Sequence, residues 1–345
     1  MKFPWTVVAV LASGSLMVTS TPPTHAAPEN TSGNTHFEVA VQRRLINLEL
    51  PVELQATDLV ADRVRMYVTG GRRATENILG RTFLYFPIYE YYLRKYNLPE
   101  SLKYLPMIES GLRPGVRSGA GAVGMWQLMY STARQYGLTI NEYIDERRDP
   151  HRSTEAAVRL LADLHDMFGD WSLVLAAYNG GPGRVRRAID AAGCQDYQEV
   201  LPFLPPETQR YVPYFIAAAY IANHHFDHDL IPRLPEYLMT PTRTIEVRQY
   251  AGIGELAEAT GLDYSTISKL NPALLSGAIP RSSKGYYLVL PSHATRAARQ
   301  FFAKKARRDP KTVVPANYFK YAHVVGADET IEHLATTFHC SVEDI

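Results

Sequence analysis

The sequence predicts an α+β chain, mainly helical over its longer first part, followed by small repeated units that mix strands and helices. Three observations carry this. Apolar residues recur at helical spacing between about Phe37 and Asn223. The pattern stops after Phe226, where a Pro-containing connector runs from Ile231 to Pro241. Beyond it, Val247, Ile253, Leu256-Ala257 and Ile267 recur at the same spacing as Val325, Ile331, Leu334-Ala335 and Ile345, the mark of duplicated modules.

Taken in order, the chain opens on an export signal at residues 1–26. Lys2 supplies the positive start, an apolar stretch runs from Phe3 to about Val18, and Thr24-His25-Ala26 places small residues before Ala27. The apolar run is too short and interrupted for a membrane span, so membrane association is expected only if the signal stays uncleaved. The first cysteine is Cys194, which removes an N-terminal lipid anchor. Residues 27–36, rich in Pro, Thr, Asn and Gly, read as a flexible terminus.

The helical domain spans residues 37–230. One helix follows Ser153 as N-cap, with Ala157, Leu160, Leu161, Leu164 and Phe168 on one face and Gly169 at its end. Another runs from Trp171 to Asn179 and stops at Gly180-Gly181-Pro182. A third is expected from Glu207 to about His224, where Pro213 forces a kink or a late start. After the linker at 231–241, the first module covers 242–291. A basic linker covers 292–318, beginning as a helix within Arg296 to Lys311. The second module, 319–345, stops at Ile345 where the first continues through Leu270-Asn271-Pro272, so the chain reads as cut short inside it.

Bulk properties exclude several functions. With 46% hydrophobic and 21% charged residues the chain is globular, and a formal net charge of +1 argues against a nucleic-acid partner. Only two cysteines, Cys194 and Cys340, rule out a disulfide scaffold. The run His224-His225-Phe226-Asp227-His228-Asp229 invites a metal reading. Adjacent helical residues point in different directions, however, and no matching ligand pair stands elsewhere, so neither metal nor cofactor is expected. The 22 tyrosines suit either packing or a lining for sugar rings, and composition does not choose.

Four segments carry the chemistry. Leu105-Pro106-Met107-Ile108-Glu109-Ser110-Gly111 ends an apolar run on a glutamate, whose charged form apolar neighbours disfavour. A glutamate protonated near neutrality can donate a proton to a glycosidic oxygen. The segment Gly119 to Met129, with Gly124-Met125-Trp126-Gln127, lets backbone approach a ligand and offers stacking and hydrogen bonds. Ala176-Ala177-Tyr178-Asn179 places polar groups at the end of an apolar helix, and Thr208-Gln209-Arg210-Tyr211 follows later.

Together, in this order, they resemble the lytic transglycosylase family with a lysozyme-like (SLT) domain, most closely its membrane-bound lytic murein transglycosylase D type. That resemblance implies a lysozyme-like catalytic domain acting on peptidoglycan glycan strands in the periplasm or cell envelope. Glu109 would be the catalytic acid and then base. Ser110, Met125, Gln127, Tyr178, Asn179 and Tyr211 would bind substrate or support the acid, and Trp126 would form cleft wall. The β-1,4 bond between N-acetylmuramic acid and N-acetylglucosamine would open without water, leaving a 1,6-anhydro end. Asp145, Glu146 and Asp149 are the candidates for a second carboxylate, read mainly as a loop braced by Arg147 and Arg148. If one of them positioned water, the chain would be a hydrolytic muramidase. The duplicated units resemble βααβ LysM modules, with Asn271-Pro272 and the strand Tyr287 to Pro291. Both depart from that family's Gly-Asp-Thr-Leu turn, having Ala251-Gly252-Ile253 and Asp328-Glu329-Thr330-Ile331, so the resemblance carries the fold and not the glycan affinity. A wall-binding protein without catalysis is the reading from another class.

Overall fold

The computed structural model describes residues 31–54, 57–235, 240–282 and 285–308, with Glu332. The export signal and, apart from Glu332, the second module lie outside the described residues. Helix α1 (Thr31–Leu45) begins within the stretch read as a flexible terminus. It is followed by α2 (Thr57–Val68), α3 (Arg72–Lys95), the short α4 (Leu105–Ser110) and α5 (Tyr130–Gln135). Then come α6 (Pro150–Phe168), α7 (Trp171–Gly180), α8 (Pro182–Ala192), α9 (Tyr197–Val200), α10 (Pro206–Gln209) and α11 (Tyr211–His224).

Helix α11 is the axis of this assembly. Phe215, Ile216, Ala217, Ala218, Ala219, Tyr220 and Ile221 are all buried, so it is apolar around its whole circumference. Helices α2, α4 and α7 pack against it. The expected third helix is divided: α10 and α11 are separated at Arg210, and Pro213 falls in the first turn of α11. A proline there removes an N–H that has no intrahelical partner anyway, so the late start costs little.

Helix α6 corrects one expectation. Its N-cap is Asp149, whose Oδ1 accepts from the backbone N–H groups of His151 (2.9 Å) and Arg152 (2.8 Å), with Pro150 in the first turn. Ser153 lies inside the helix, buried, and donates back to the Asp149 carbonyl at 2.6 Å. The capping preference of aspartate equals that of serine, and the proline immediately after it decides between them. The apolar face of α6 is buried as its spacing requires, and the helix ends on Gly169.

The connector after α11 lies on the helical domain. Arg233 donates from its backbone to the Glu76 carbonyl (2.8 Å) and from Nε to the Glu76 carboxylate (2.7 Å). A Cβ on Gly80 would stand 1.8 Å from the Arg233 carbonyl oxygen, so only glycine admits this approach.

The small module begins with β1 (Thr242–Val247) and β2 (Ala251–Gly252), continues through α12 (Ile253–Thr260) and α13 (Tyr264–Leu270), and closes with β3 (Ala278–Ile279) and β4 (Tyr286–Pro291). Strands β1 and β4 pair antiparallel with Ile245 opposite Leu288. Asn271 ties α13 to the sheet: its Nδ2 donates to the Val289 carbonyl and its Oδ1 accepts from the Val289 N–H, both at 2.8 Å. Helix α14 (Thr295–Arg308) occupies the first part of the basic segment, and its Ala298 and Phe302 complete the module's core. The cationic residues are on its remaining faces, where Lys305 pairs with Glu255 at 2.8 Å.

Replacing Asp149 with Ala removes the cap of α6 and is expected to cost about 1 kcal/mol. In urea unfolding the midpoint should fall with the slope unchanged, whereas Ser153→Gly should leave both cap bonds in place.

Candidate active site

Glu109 sits in the last turn of α4, which ends on Gly111 in the left-handed conformation (φ 60°). Its neighbours Leu105, Pro106 and Met107 are buried and anchor the helix against α11. The carboxyl is thus carried on a short rigid element, and Tyr211, the first residue of α11, donates its hydroxyl to Glu109 Oε1.

Burial pushes the Glu109 carboxyl up to about 7, the charge of Glu207 adds to the rise, and the Tyr211 hydrogen bond opposes both. A shift from 4.5 to about 7 corresponds to about 3 kcal/mol of penalty on the ionised form. Near neutrality the group therefore exists in both protonation states. Burial also holds the Tyr211 and Tyr178 phenols far above the ordinary tyrosine value, with the Glu109 charge acting in the same direction. Both remain neutral hydrogen-bond donors.

The segment from Gly119 to Met129 forms the facing loop. It is closed by the bridges Arg117–Val123 and Val123–Leu128. Gly124 has φ 90°, and a Cβ there would meet the Arg147 carbonyl oxygen at 1.9 Å, so no other residue fits. Gln127 holds an unfavourable left-handed backbone (φ 48°) and donates its side-chain amide to the Gly124 carbonyl at 2.7 Å and the Val116 carbonyl at 3.3 Å.

The sequence-predicted residues meet through this loop. Ser110 Oγ donates to the Met125 carbonyl (2.9 Å), which joins the glutamate helix to the loop. Tyr178 donates to the Trp126 carbonyl (2.6 Å), which joins α7 to it. Asn179 Oδ1 accepts from Thr208 Oγ1 at 2.9 Å, linking α7 to α10. Met125 and Trp126 have no exposed surface. Their expected place on the cleft surface is therefore corrected: Tyr89 of α3 donates to Met125 Sδ (3.1 Å), and Trp126 Nε1 donates to Thr154 of α6 (2.9 Å). They support the loop from behind. Ser110, 4% exposed, likewise holds the frame together.

None of the carboxylates weighed as a second acid is free for that task. Asp145 and Arg147 form a buried bidentate pair, Nε–Oδ1 at 2.9 Å and Nη2–Oδ2 at 2.7 Å. Asp149 caps α6, and Glu146 accepts from the Thr139 N–H at 2.6 Å. The carboxylate whose charge reaches Glu109 is Glu207, on α10 one residue before Thr208. Sequence reading included Thr208 in its segment without a role of its own and did not single out Glu207; the available signal was their place three and four residues before Tyr211 in a polar turn. The histidines at the end of α11 are used locally: His224 pairs with Asp227 (3.0 Å) and His228 with the Tyr220 hydroxyl (2.8 Å). Among the described residues no group of His, Cys, Asp or Glu could hold a metal ion.

Comparison with known proteins places this site in a family context. Residues 86–201 match the transglycosylase SLT domain, and residues 241–305 match the LysM-like domain of lytic transglycosylase MltD. The chain is 31% identical to membrane-bound lytic murein transglycosylase D of Escherichia coli (strain K12) over 267 residues, 73% of this chain and 57% of that relative. It thus spans little more than half that relative's length. It is 38% identical over 88 residues to the transglycosylase of Enterobacteria phage PRD1, 25% of this chain and 31% of that one. Among solved structures it is similar to the soluble lytic transglycosylase SLT70 from Escherichia coli, with a TM-score of 0.37 and 22% identity over 56% of this chain and 34% of that one.

The electrostatics predict two shifted titrations and one pH-dependent change in stability. Glu207→Gln should lower the Glu109 pKa, and Tyr211→Phe should raise it, as read from the carboxyl carbon shift by NMR. A group with a raised folded-state pKa stabilises the fold fully below its unfolded value and loses that contribution as pH rises through about 7. Glu109→Gln should therefore raise stability at pH 8, by up to about 3 kcal/mol, and change it little at pH 4. Equal gains at both pH values would contradict the buried carboxyl.

Proposed function

We propose that this chain, which belongs to the SLT-domain lytic transglycosylases of the MltD type, cleaves the β-1,4 bond between N-acetylmuramic acid and N-acetylglucosamine in peptidoglycan without consuming water. The observation that carries the reading is Glu109: a desolvated carboxyl near neutrality, held by Tyr211, with Asp145, Glu146 and Asp149 all engaged elsewhere.

In this reading the protonated Glu109 donates to the bridging oxygen as the glycosidic bond breaks. The substrate's own N-acetyl group supports the developing positive charge, the role a second carboxylate fills in ordinary glycosidases. Glu109, now a carboxylate, takes the proton from the muramic C6 hydroxyl as its oxygen bonds to the anomeric carbon, giving the 1,6-anhydro sugar. The Tyr211 hydroxyl stabilises the carboxylate between the two steps and fixes its orientation. Gln127, on the loop kept in shape by Ser110, Met125 and Trp126, and Tyr178 and Asn179, at the end of α7, hold the N-acetyl sugar. The LysM-like module keeps its family's fold, and the protein is read as a resident of the cell envelope. No helix among the described residues is long and apolar enough to cross a membrane.

Glu207 gives a hydrolytic reading its one foothold, because its charge acts on Glu109. Digestion of purified peptidoglycan separates the two by mass: anhydro ends are expected, and reducing ends would make the chain a muramidase with Glu207 as the candidate base. Glu109→Gln should lower release at least about 100-fold while leaving wall binding intact.

A further inference from the structure

The segment from Ile140 to Arg148 faces two structures at once. Towards the cleft, Arg147 Nη1 donates to the Gly121 carbonyl (3.2 Å) and to the Leu128 carbonyl (3.4 Å), gripping both ends of the loop that carries Gly124 to Gln127. Its own carbonyl fills the space that Gly124 leaves. Arg147 is 6% exposed and Asp145 4%, and the bidentate pair between them fixes the guanidinium plane.

Towards the small module, the same segment is stitched by backbone. Asp145 N–H donates to the Ala273 carbonyl (2.9 Å), and Leu275 N–H donates to the Tyr143 carbonyl (2.8 Å), around the bridge between Ile144 and Leu274. Ile144, 6% exposed, belongs to the module's apolar core with Ile245, Ile267 and Leu288. Burial holds the Tyr286 phenol of β4 well above the ordinary tyrosine value, and the charges of Asp149 and Glu146 add to the rise. One side chain of this loop is therefore built into the module's own core.

We propose that the LysM-like module is a fixed buttress of the catalytic cleft, and that Arg147 is the positioning residue through which its docking sets the Gly121–Leu128 loop. The argument is one of connected rigid contacts. Residues 273–275 hold residues 143–145, Asp145 orients Arg147, and Arg147 sets the loop whose Met125 and Trp126 carbonyls receive Ser110 and Tyr178. A misplacement of about 1 Å at a reacting centre can cost on the order of 100-fold in rate. The module thus contributes to turnover, in addition to any attachment to the wall. This rests on the transglycosylase reading only for its activity readout.

The test uses the full chain with Ile144→Ala, which loosens the docking, and Arg147→Lys, which keeps the charge beside Asp145 but loses the fork. Lys305→Ala, which removes the pairing with Glu255 of α12, is the control. Kinetics on a soluble glycan oligomer and amide hydrogen exchange are read on the folded fraction of each. Both variants should lower kcat at least about tenfold with KM changed less than about threefold. Exchange at the Gly121–Leu128 amides should quicken at least about tenfold, and the control should match the parent chain. Unchanged kcat and exchange in Ile144→Ala would overturn the proposal, as would an equal loss in Lys305→Ala. If Ile144→Ala does not fold, Arg147→Lys and the milder Ile144→Val decide by the same readouts. If the parent chain cleaves no glycan, the functional reading fails, and hydrogen exchange alone decides whether the module braces the loop.

Discussion

The structure is organised around the cost of burying one carboxyl group. Glu109 is placed where its ionised form is penalised, and a single hydroxyl, that of Tyr211, offsets part of the penalty. A carboxyl in water would be ionised at neutrality and useless as a proton donor; one buried without a partner would stay protonated and useless as a base. The combination leaves it near 7, where both forms are accessible within one turnover. Much of the surrounding architecture maintains that compromise.

Rigidity comes from linking elements distant in sequence to one loop. Helix α4 reaches it through Ser110, α7 through Tyr178, α3 through Tyr89 and α6 through Thr154. All four bonds meet the backbone or buried side-chain atoms of Met125 and Trp126, so the loop is held from behind. Gly124 allows the closest approach, and Arg147 occupies it. The strained backbone of Gln127 fits this arrangement, since such a conformation persists only where the surroundings over-determine it.

Much of this was legible in the sequence, and what was not has a physical reason. The apolar face of α6 and a helix ending near His224 read directly from residue spacing, and the strand-helix-helix-strand module from its duplication and its resemblance to LysM units; the tie from Asn271 to Val289 did not. The cap of α6 was misplaced because serine and aspartate cap equally well, and the Asp149-Pro150 order carries the information. Met125 and Trp126 were assigned to the cleft by the family resemblance and by the stacking a Trp offers, although a large apolar side chain beside a glycine turn can equally point inward. Thr208 and Glu207 had only their place ahead of Tyr211 to mark their roles, since a single hydroxyl or carboxylate in a polar turn shows no periodicity. The docking of Ile144 into the module's core was equally silent: it joins residues more than a hundred positions apart through a single side chain and two backbone bonds.

The claim at the centre is that one carboxyl acts as both acid and base. The most direct test is the pH dependence of kcat/KM on a soluble peptidoglycan fragment, which reports the ionisations of the free enzyme. A single fall above about 7, with no loss on the acid side down to about pH 5, is predicted from the Glu109 carboxyl. A bell-shaped profile with a second essential group ionising near the ordinary carboxylate value would contradict it, because it would demonstrate a separate base.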